Sequence, residues 1–280
     1  MKKILVPADF SDTAETAMRY AINFAKKLQA EIIFFYSSHI PVITPGTNFT
    51  ADDAMVQNEI YDQRKQLEQL AESLCEKAQF DKANYTCIVS SGFAGDEIPE
   101  IVKKEKCDLI IMGTTGAGGL KKILGSITYH IIKLNTCPVI AIPLGFAPET
   151  SPTKIVLATD YKGPIPEMSL LNEISLVFNS ELLIFNVQKK KDYTPSIEEA
   201  IKGLALENAV KDLNHSYHFS VDEDITGSIK EFTEKENANL VVVMPHEHDF
   251  IEKVFGISTT KELTHTTNVP LLIINENKEK

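Results

Sequence analysis

An internal repeat constrains the fold of this chain more than any other feature of its sequence. The segment KILVPADF at Lys3 recurs as KIVLATDY at Lys154. Later in the first copy, DLIIMG and TCPVIAIP are matched by NLVVVM and TNVPLLII in the second copy. The repeat unit of about 140 residues falls in the common size range of a domain. The sequence therefore predicts two domains, residues 1–149 and residues 150–280.

Each copy alternates short apolar runs with amphipathic segments. Strands that alternate with helices along a chain predict an α/β fold, here two tandem open parallel five-stranded sheets with helices on both faces. In such a sheet the ligand is expected at a topological switch point, outside the carboxyl ends of the strands. The predicted strands include residues 3–7, 31–36, 85–90, 109–112, 181–187 and 218–221, and the predicted helices include residues 52–77, 96–104, 196–213 and 225–235.

A glycine-rich segment follows the apolar run at residues 109–112 and precedes a helical pattern that begins at Ser126. It carries Gly113, Gly116, Gly118, Gly119 and Gly125. Glycine allows several backbone N–H groups to point into one concavity, which suits an anion such as phosphate. The alternative is a flexible loop in which the glycines serve turns. The segment fits neither the Walker A pattern nor the Rossmann fingerprint, so the pattern alone predicts an anion site of unassigned type.

The glycine spacing resembles the nucleotide-binding signature of the universal stress protein family, Gly-x2-Gly-x9-Gly-Ser/Thr. Gly113, Gly116 and the pair Gly125-Ser126 match it, except that the middle spacer has eight residues instead of nine. The segment PADFS at Pro7 is also similar to the start of family members. The resemblance extends over nearly the whole chain as two copies. It implies the strand order 3-2-1-4-5 and a contact between the last strands of the two copies, an intramolecular pseudo-dimer, with a further homodimer left open.

The resemblance also implies an adenine nucleotide, ATP or else ADP or AMP, bound by the first copy. Asp9 would accept hydrogen bonds from the ribose or base and is a candidate ligand for Mg²⁺; its alternative role is that of a residue at a helix start, where Ser11 or Asp12 is predicted to be the cap. The shorter spacer is expected to alter the selection among ATP, ADP and AMP. The implied binding residues are Pro7, Ala8, Asp9, Ser37 through its backbone, Met112, Gly113, Gly116, Gly125, Ser126, Ile127 and Thr128.

The second copy differs from the first at the phosphate segment. Met244 and Glu247 stand where the first copy has Gly113 and Gly116, and Pro245 has no N–H to donate. The second copy is therefore predicted to be a degenerate structural domain. Histidines at positions 246, 248 and 265 suggest a metal site, but no third ligand with suitable spacing and no HExxH motif support it, so no metal site is assigned. Lys121 and Lys122 are interpreted as a solvated pair rather than phosphate ligands.

Charge and composition narrow the function classes. With 28 Lys and Arg against 39 Asp and Glu, the net charge of −11 argues against nucleic acid or an anionic membrane as partner. No apolar run approaches the roughly 20 residues of a membrane span, and no signal peptide is recognised. The four cysteines lack metal-ligand spacing and are expected to be reduced in the cytoplasm. The predicted function is a stress-response regulator or binding module that depends on a nucleotide. The alternatives are a slow ATP hydrolase, with no catalytic residue assigned, and a scaffold without nucleotide.

Overall fold

Strands and helices alternate through the first half as the sequence predicts. The computed structural model describes residues 2–38, 53–114, 125–161, 163, 165–189, 194, 196–244 and 268–274, with side chains from residue 57 onward in the second range. The elements of the first half are β1 (Lys3–Pro7), α1 (Asp12–Leu28), β2 (Glu31–Ser38), α2 (Asp53–Ala78), a 3₁₀ turn (Lys82–Asn84), β3 (Tyr85–Ser91), α3 (Ala94–Glu105), β4 (Leu109–Gly113), α4 (Ser126–Leu134) and β5 (Val139–Ile142).

The second half repeats this order from β6 to β9 and ends in β10, and its first two helices are shorter than their counterparts. Helix α5 has 9 residues where α1 has 17, and α6 has 14 where α2 has 26. The predicted helix at residues 196–213 ends three residues earlier, and the predicted strand at 218–221 begins three residues earlier. The elements are β6 (Lys154–Ala158), α5 (Ser169–Val177), β7 (Glu181–Gln188), α6 (Ile197–Val210), β8 (His215–Val221), α7 (Ile225–Lys235), β9 (Leu240–Val243) and β10 (Leu271–Ile273).

All of these strands belong to one sheet. The spatial order is β3-β2-β1-β4-β5-β10-β9-β6-β7-β8, so the first half has the predicted order 3-2-1-4-5 and the second half has its counterpart. Within each half the strands are parallel, whereas β5 and β10 pair antiparallel with Ile140 opposite Leu272. The two predicted five-stranded sheets join edge to edge into one ten-stranded sheet, because their last strands satisfy each other's unpaired backbone groups.

Apolar side chains cover both faces of the sheet and continue from one half into the other. On one face, α1 and α5 lie side by side, and Phe24 stacks on Phe178 with ring centroids 5.2 Å apart. The other face has its own core, to which α3, α4 and α7 contribute. Because each face holds one continuous core, the halves stabilise each other.

The cysteines of this protein are free thiols. Cys75, Cys107 and Cys137 are buried free thiols. Burial raises the pKa of Cys107 to about 11 and that of Cys75 to about 12, which keeps these thiols protonated at neutral pH.

Among the described helices, none is long and apolar enough to cross a membrane. The described residues also contain no cluster of His, Cys, Asp and Glu that would hold a metal ion.

Candidate functional site

The strand order reverses at β1, and this places the candidate site at one edge of the sheet. The chain leaves β1 toward β2 on one side, while β4 lies on the other side of β1. The carboxyl ends of β1 and β4 therefore border a crevice, the usual ligand position in open parallel sheets. The residues that follow these strands, Asp9 after β1 and Thr114 after β4, come from the two segments that the sequence singled out.

Asp9 organises the start of helix α1. Its Oδ1 accepts hydrogen bonds from the backbone N–H of Ser11 at 3.1 Å and from the Ser11 hydroxyl at 2.5 Å. The Ser11 oxygen in turn accepts from the N–H of Ala14 at 3.2 Å, which makes Ser11 the N-cap. The helix-start role that the sequence offered for Asp9 is therefore present in the structure. The carboxylate is only partly buried and stays at the crevice.

An aromatic pair lies beside Asp9. Phe10 adopts the left-handed conformation, with φ of 59°, and its ring lies 4.8 Å from the ring of Tyr36. Burial raises the pKa of Tyr36, and the carboxylates of Glu59 and Asp9 raise it further. Sequence reasoning did not identify this pair. The signal was available, because an aromatic residue directly follows the aspartate in both copies, as Phe10 and Tyr161.

Gly113, at the end of β4, is a point of close approach between the sheet and α1. A Cβ built on Gly113 would lie 2.7 Å from Cγ2 of Thr13 and 3.3 Å from its backbone carbonyl carbon. Thr13 is buried in the first turn of α1. The absence of a side chain at Gly113 therefore has a packing reason within this half. In addition to this packing role, the phosphate-binding role of Gly113 stays a prediction.

Two hydrogen bonds hold the start of α4 against the end of β4. The buried hydroxyl of Thr128 donates to the carbonyl of Gly113 at 2.9 Å, and the N–H of Gly125 donates to the carbonyl of Thr114 at 2.5 Å. These two groups are consequently engaged within the protein. The backbone N–H groups of the first turn of α4 have no partner inside the helix, and Ser126 is exposed. The positive end of α4 is thus presented at the crevice.

Ser37 lies on β2, beyond the point where the pairing of β2 with β1 ends. The N–H of Ala8 donates to the carbonyl of Phe35 at 2.8 Å, so odd-numbered residues of β2 turn their backbone groups toward β1. Ser37 is the next such residue, and among the described residues its N–H and C=O have no backbone partner. Its hydroxyl donates to the carbonyl of Gly92 at 2.7 Å. Ser37 therefore offers one donor and one acceptor, side by side, at the crevice.

The remaining predicted residues divide into two groups. Pro7 ends β1 opposite Phe35, while the buried side chains of Ala8 and Met112 point into the two cores. The half-buried Ile127 packs on the second of these cores, so these four residues border the crevice through their backbone. The segments that hold Gly116, Lys121, Lys122 and the histidines at 246, 248 and 265 lie outside the described residues.

The second half keeps the strand geometry, but different side chains lie where the first half has its crevice. The N–H of Thr159 donates to the carbonyl of Phe185 at 3.0 Å, and Tyr161 has a φ of 56°, as in the first half. However, the side-chain amide of Asn186 donates to the carbonyl of Thr159 at 2.8 Å. Met244, at the position of Gly113, is buried in the core.

These features define a class of protein: a duplicated open α/β fold with a polar crevice at the switch point of its first half. The model of the universal stress protein family matches residues 1–143, about half of the chain, and the chain therefore belongs to this family. Similar sequences include universal stress protein MJ0531 of Methanocaldococcus jannaschii, 32% identical over 148 residues that cover 50% of this chain and 81% of that protein. Universal stress protein YxiE of Bacillus subtilis is 29% identical over 147 residues, covering 50% of this chain and 97% of that protein.

A solved structure also resembles the whole molecule. A universal stress protein from Archaeoglobus fulgidus DSM 4304 superimposes with a TM-score of 0.72, covering 98% of both chains at 16% sequence identity. At that identity the likeness shows the fold alone. It shows the tandem arrangement of two such halves in a single chain.

Proposed function

We propose that the first half binds an adenine nucleotide and that the chain acts as a nucleotide-dependent regulator or binding module. The observation that carries the proposal is the position of α4, whose first turn is tied to the end of β4, the strand that pairs with β1. A helix N-terminus at a strand switch point is a recurrent phosphate site, because unpaired N–H groups and the helix dipole both favour an anion. The family resemblance of the adjoining glycine segment supports the same assignment.

The other end of the crevice suits the base and the ribose. The paired donor and acceptor of the Ser37 backbone match an adenine edge, which presents a ring nitrogen acceptor next to an amino donor. Asp9 lies between Ser37 and the phosphate end and offers a carboxylate to ribose hydroxyls, or to a Mg²⁺ ion that accompanies the phosphates. No catalytic residue is proposed. ATP hydrolysis and a scaffold without nucleotide are the alternatives that the experiment below separates.

The proposal includes an organisation for the whole chain. Domains 1–149 and 150–280 pair through β5 and β10 as two subunits of a dimer would, and only the first domain holds nucleotide. In the second domain, the Asn186 amide already occupies the carbonyl at the end of β6, and Val187 stands in the position of Ser37. The protonated, unpaired thiols support a cytoplasmic protein.

The variant Ser37→Pro tests the proposal. Proline removes the N–H of Ser37, which has no backbone partner within the described residues, and leaves the C=O in place. We expect ATP affinity to fall by roughly 5- to 150-fold, because the adenine acceptor would be left unpaired at a cost of about 1–3 kcal/mol. Ser37→Ala is the matched control: it removes only the hydroxyl bond to Gly92, so its affinity should stay within about twofold of the parent.

The measurement is isothermal titration of the full chain with ATP, ADP, AMP and GTP, with and without Mg²⁺. GTP should bind weakly, because guanine presents the opposite donor and acceptor pattern at that edge. Equal ATP affinities for Ser37→Pro and Ser37→Ala would remove the adenine assignment. Absence of any nucleotide binding by the parent would favour the scaffold. Release of ADP in proportion to the amount of protein would favour the hydrolase.

A further inference from the structure

Strand β8 forms an outer edge of the sheet in the second half. The N–H of Asp222 donates to Gln188 and the carbonyl of Asn214 accepts from Leu182, so the even-numbered residues of β8 face β7. The odd-numbered residues therefore turn their N–H and C=O groups outward, where no strand among the described residues pairs with them. The segment HSYHFSV contains no Lys, Arg, Asp, Glu or Pro, the residues by which edge strands usually resist pairing.

One face of β8 is also apolar and uncovered. Tyr217 is 48% exposed, Phe219 is 77% exposed and Val221 is 41% exposed. They lie on the face of α6, since Tyr217 stands opposite Ile184 and its hydroxyl donates to Glu207 of that helix at 2.6 Å. In the first half the longer helix α2 covers the corresponding residues, Cys87 and Val89, which pack against the core. The shorter α6 leaves the carboxyl-terminal part of β8 open.

The sequence of β8 is nearly symmetric about His218. Serines stand two positions away on either side, and aromatic residues stand one position away, Tyr217 before and Phe219 after. We propose that β8 pairs antiparallel with β8 of a second copy of this chain, with the two-fold axis at His218. This register sets Tyr217 opposite the Phe219 of the second copy. Both residues turn their backbone groups outward, so they form a hydrogen-bonded pair.

The same register matches the opposite face of the strand. It sets Ser216 opposite Ser220 of the second copy, so that serines face each other on that face. Cross-strand aromatic pairs and serine pairs are both stabilising in antiparallel sheets. A two-fold contact needs one self-complementary patch, and β8 supplies it on both faces. The contact extends the sheet from ten to twenty strands.

The first test compares charged substitutions by analytical ultracentrifugation of the full chain. The parent should be a dimer that dissociates on dilution. Phe219→Lys should be a monomer that melts at the temperature of the dissociated parent at high dilution, because Phe219 is exposed and the lysine blocks only the edge. Thr86→Lys places the same charge on β3, the opposite edge strand, at an exposed site and should leave the dimer intact. A monomeric parent, or a dimer that survives Phe219→Lys, would overturn the proposal.

Helix α6 also carries exposed apolar residues, which are the competing candidate for the dimer interface. Ile197, Ile201 and Leu204 form an exposed apolar stripe on that helix. If Ile201→Lys abolished the dimer while Phe219→Lys did not, the helix and not the strand would be the interface. The same two variants therefore distinguish both contacts.

Disulfide trapping tests the register. His218→Cys brings the two introduced thiols together at the axis, where facing Cα atoms of a non-hydrogen-bonded pair lie about 4.5 Å apart, within the range of a disulfide. In Ser220→Cys the two thiols are four positions out of register, about 13 Å apart along the strand, and cannot be bridged. We expect a covalent dimer for His218→Cys alone under mild oxidation. Equal trapping of both variants, or trapping of neither, would contradict the proposed axis.

Discussion

Gly113 shows how one residue can be subject to two constraints. A side chain at this position would meet Thr13 of α1 at 2.7 Å, so the residue is required by packing before any ligand is considered. We predict that Gly113→Ala destabilises the protein by about 1–3 kcal/mol, the usual cost of overpacking a core. Adding Thr13→Ser, which removes the methyl group in contact, should recover part of this loss. Urea unfolding followed by circular dichroism measures both effects.

Gly203 of α6 provides the control for this prediction. No atom lies within 4 Å of a Cβ built there, so Gly203→Ala should raise stability by about 0.5–1 kcal/mol, the ordinary gain of alanine over glycine in a helix. If Gly113→Ala were equally harmless, or if Thr13→Ser did not improve it, then the contact between α1 and β4 would not be the reason for glycine at this position.

The sequence predicted a glycine of special importance at 113 but not the packing reason for it. The contact joins residues 100 positions apart, and no local pattern couples them. Thr128 is similar: the resemblance implies that it is a binding residue, and the structure shows in addition that its hydroxyl donates to the Gly113 carbonyl. Residue types at a site follow from the sequence, but which atoms remain available for a ligand depends on tertiary contacts.

At the scale of elements, the start of α1 couples helix stability to the proposed site. The Ser11 hydroxyl caps the helix and also donates to Asp9. We predict that Ser11→Ala lowers the free energy of unfolding by about 1 kcal/mol, the usual value of an N-cap. It should also weaken ATP binding, because Asp9 loses the hydroxyl that orients it. Thermal melting and calorimetry measure the two effects separately.

The N-cap of α6 provides the matched control for Ser11→Ala. Ser196 and Glu199 form a capping box there, at the start of the second-half helix and away from the crevice of the first half. Ser196→Ala should therefore cost a similar amount of stability without any change in ATP affinity. A loss of affinity in Ser196→Ala as large as that in Ser11→Ala would mean that the effect is a general consequence of lower stability.

Most elements could be predicted from the sequence, because apolar runs and helical periodicity are local signals. Helix α7 lies where it was expected, at Ile225–Lys235. The strand order 3-2-1-4-5 needed the family resemblance, since periodicity does not state which strands are neighbours. The exposed apolar residues of α6 and β8 were not anticipated. They depend on how far one helix extends over a strand, which the sequence pattern leaves open.

At the scale of the whole molecule, the two halves share a sheet but differ at their crevices. The antiparallel pairing of β5 and β10 and the stacking of Phe24 on Phe178 join the halves across both the sheet and one core. Under the proposed function, a second half without nucleotide would therefore still stabilise the first half as a structural partner.

From this difference we predict a stoichiometry of one nucleotide per chain. In the second half, Met244 fills the position of Gly113 with a buried side chain, and Pro245 has no N–H for an anion. Glu247, at the position of Gly116, adds a carboxylate; two like charges at about 4 Å repel by roughly 4 kcal/mol at an effective dielectric near 20, about a thousandfold in affinity.

Calorimetric titration of the full chain with ATP should therefore give a stoichiometry near one. Gly116→Val should abolish all binding, because a β-branched side chain occupies the place of the phosphate, whereas Glu247→Gln should leave both affinity and stoichiometry unchanged. A stoichiometry near two in the parent would show that the second half binds as well. Binding of one equivalent by Gly116→Val would place the nucleotide in the second half instead, since only a site there would survive that substitution.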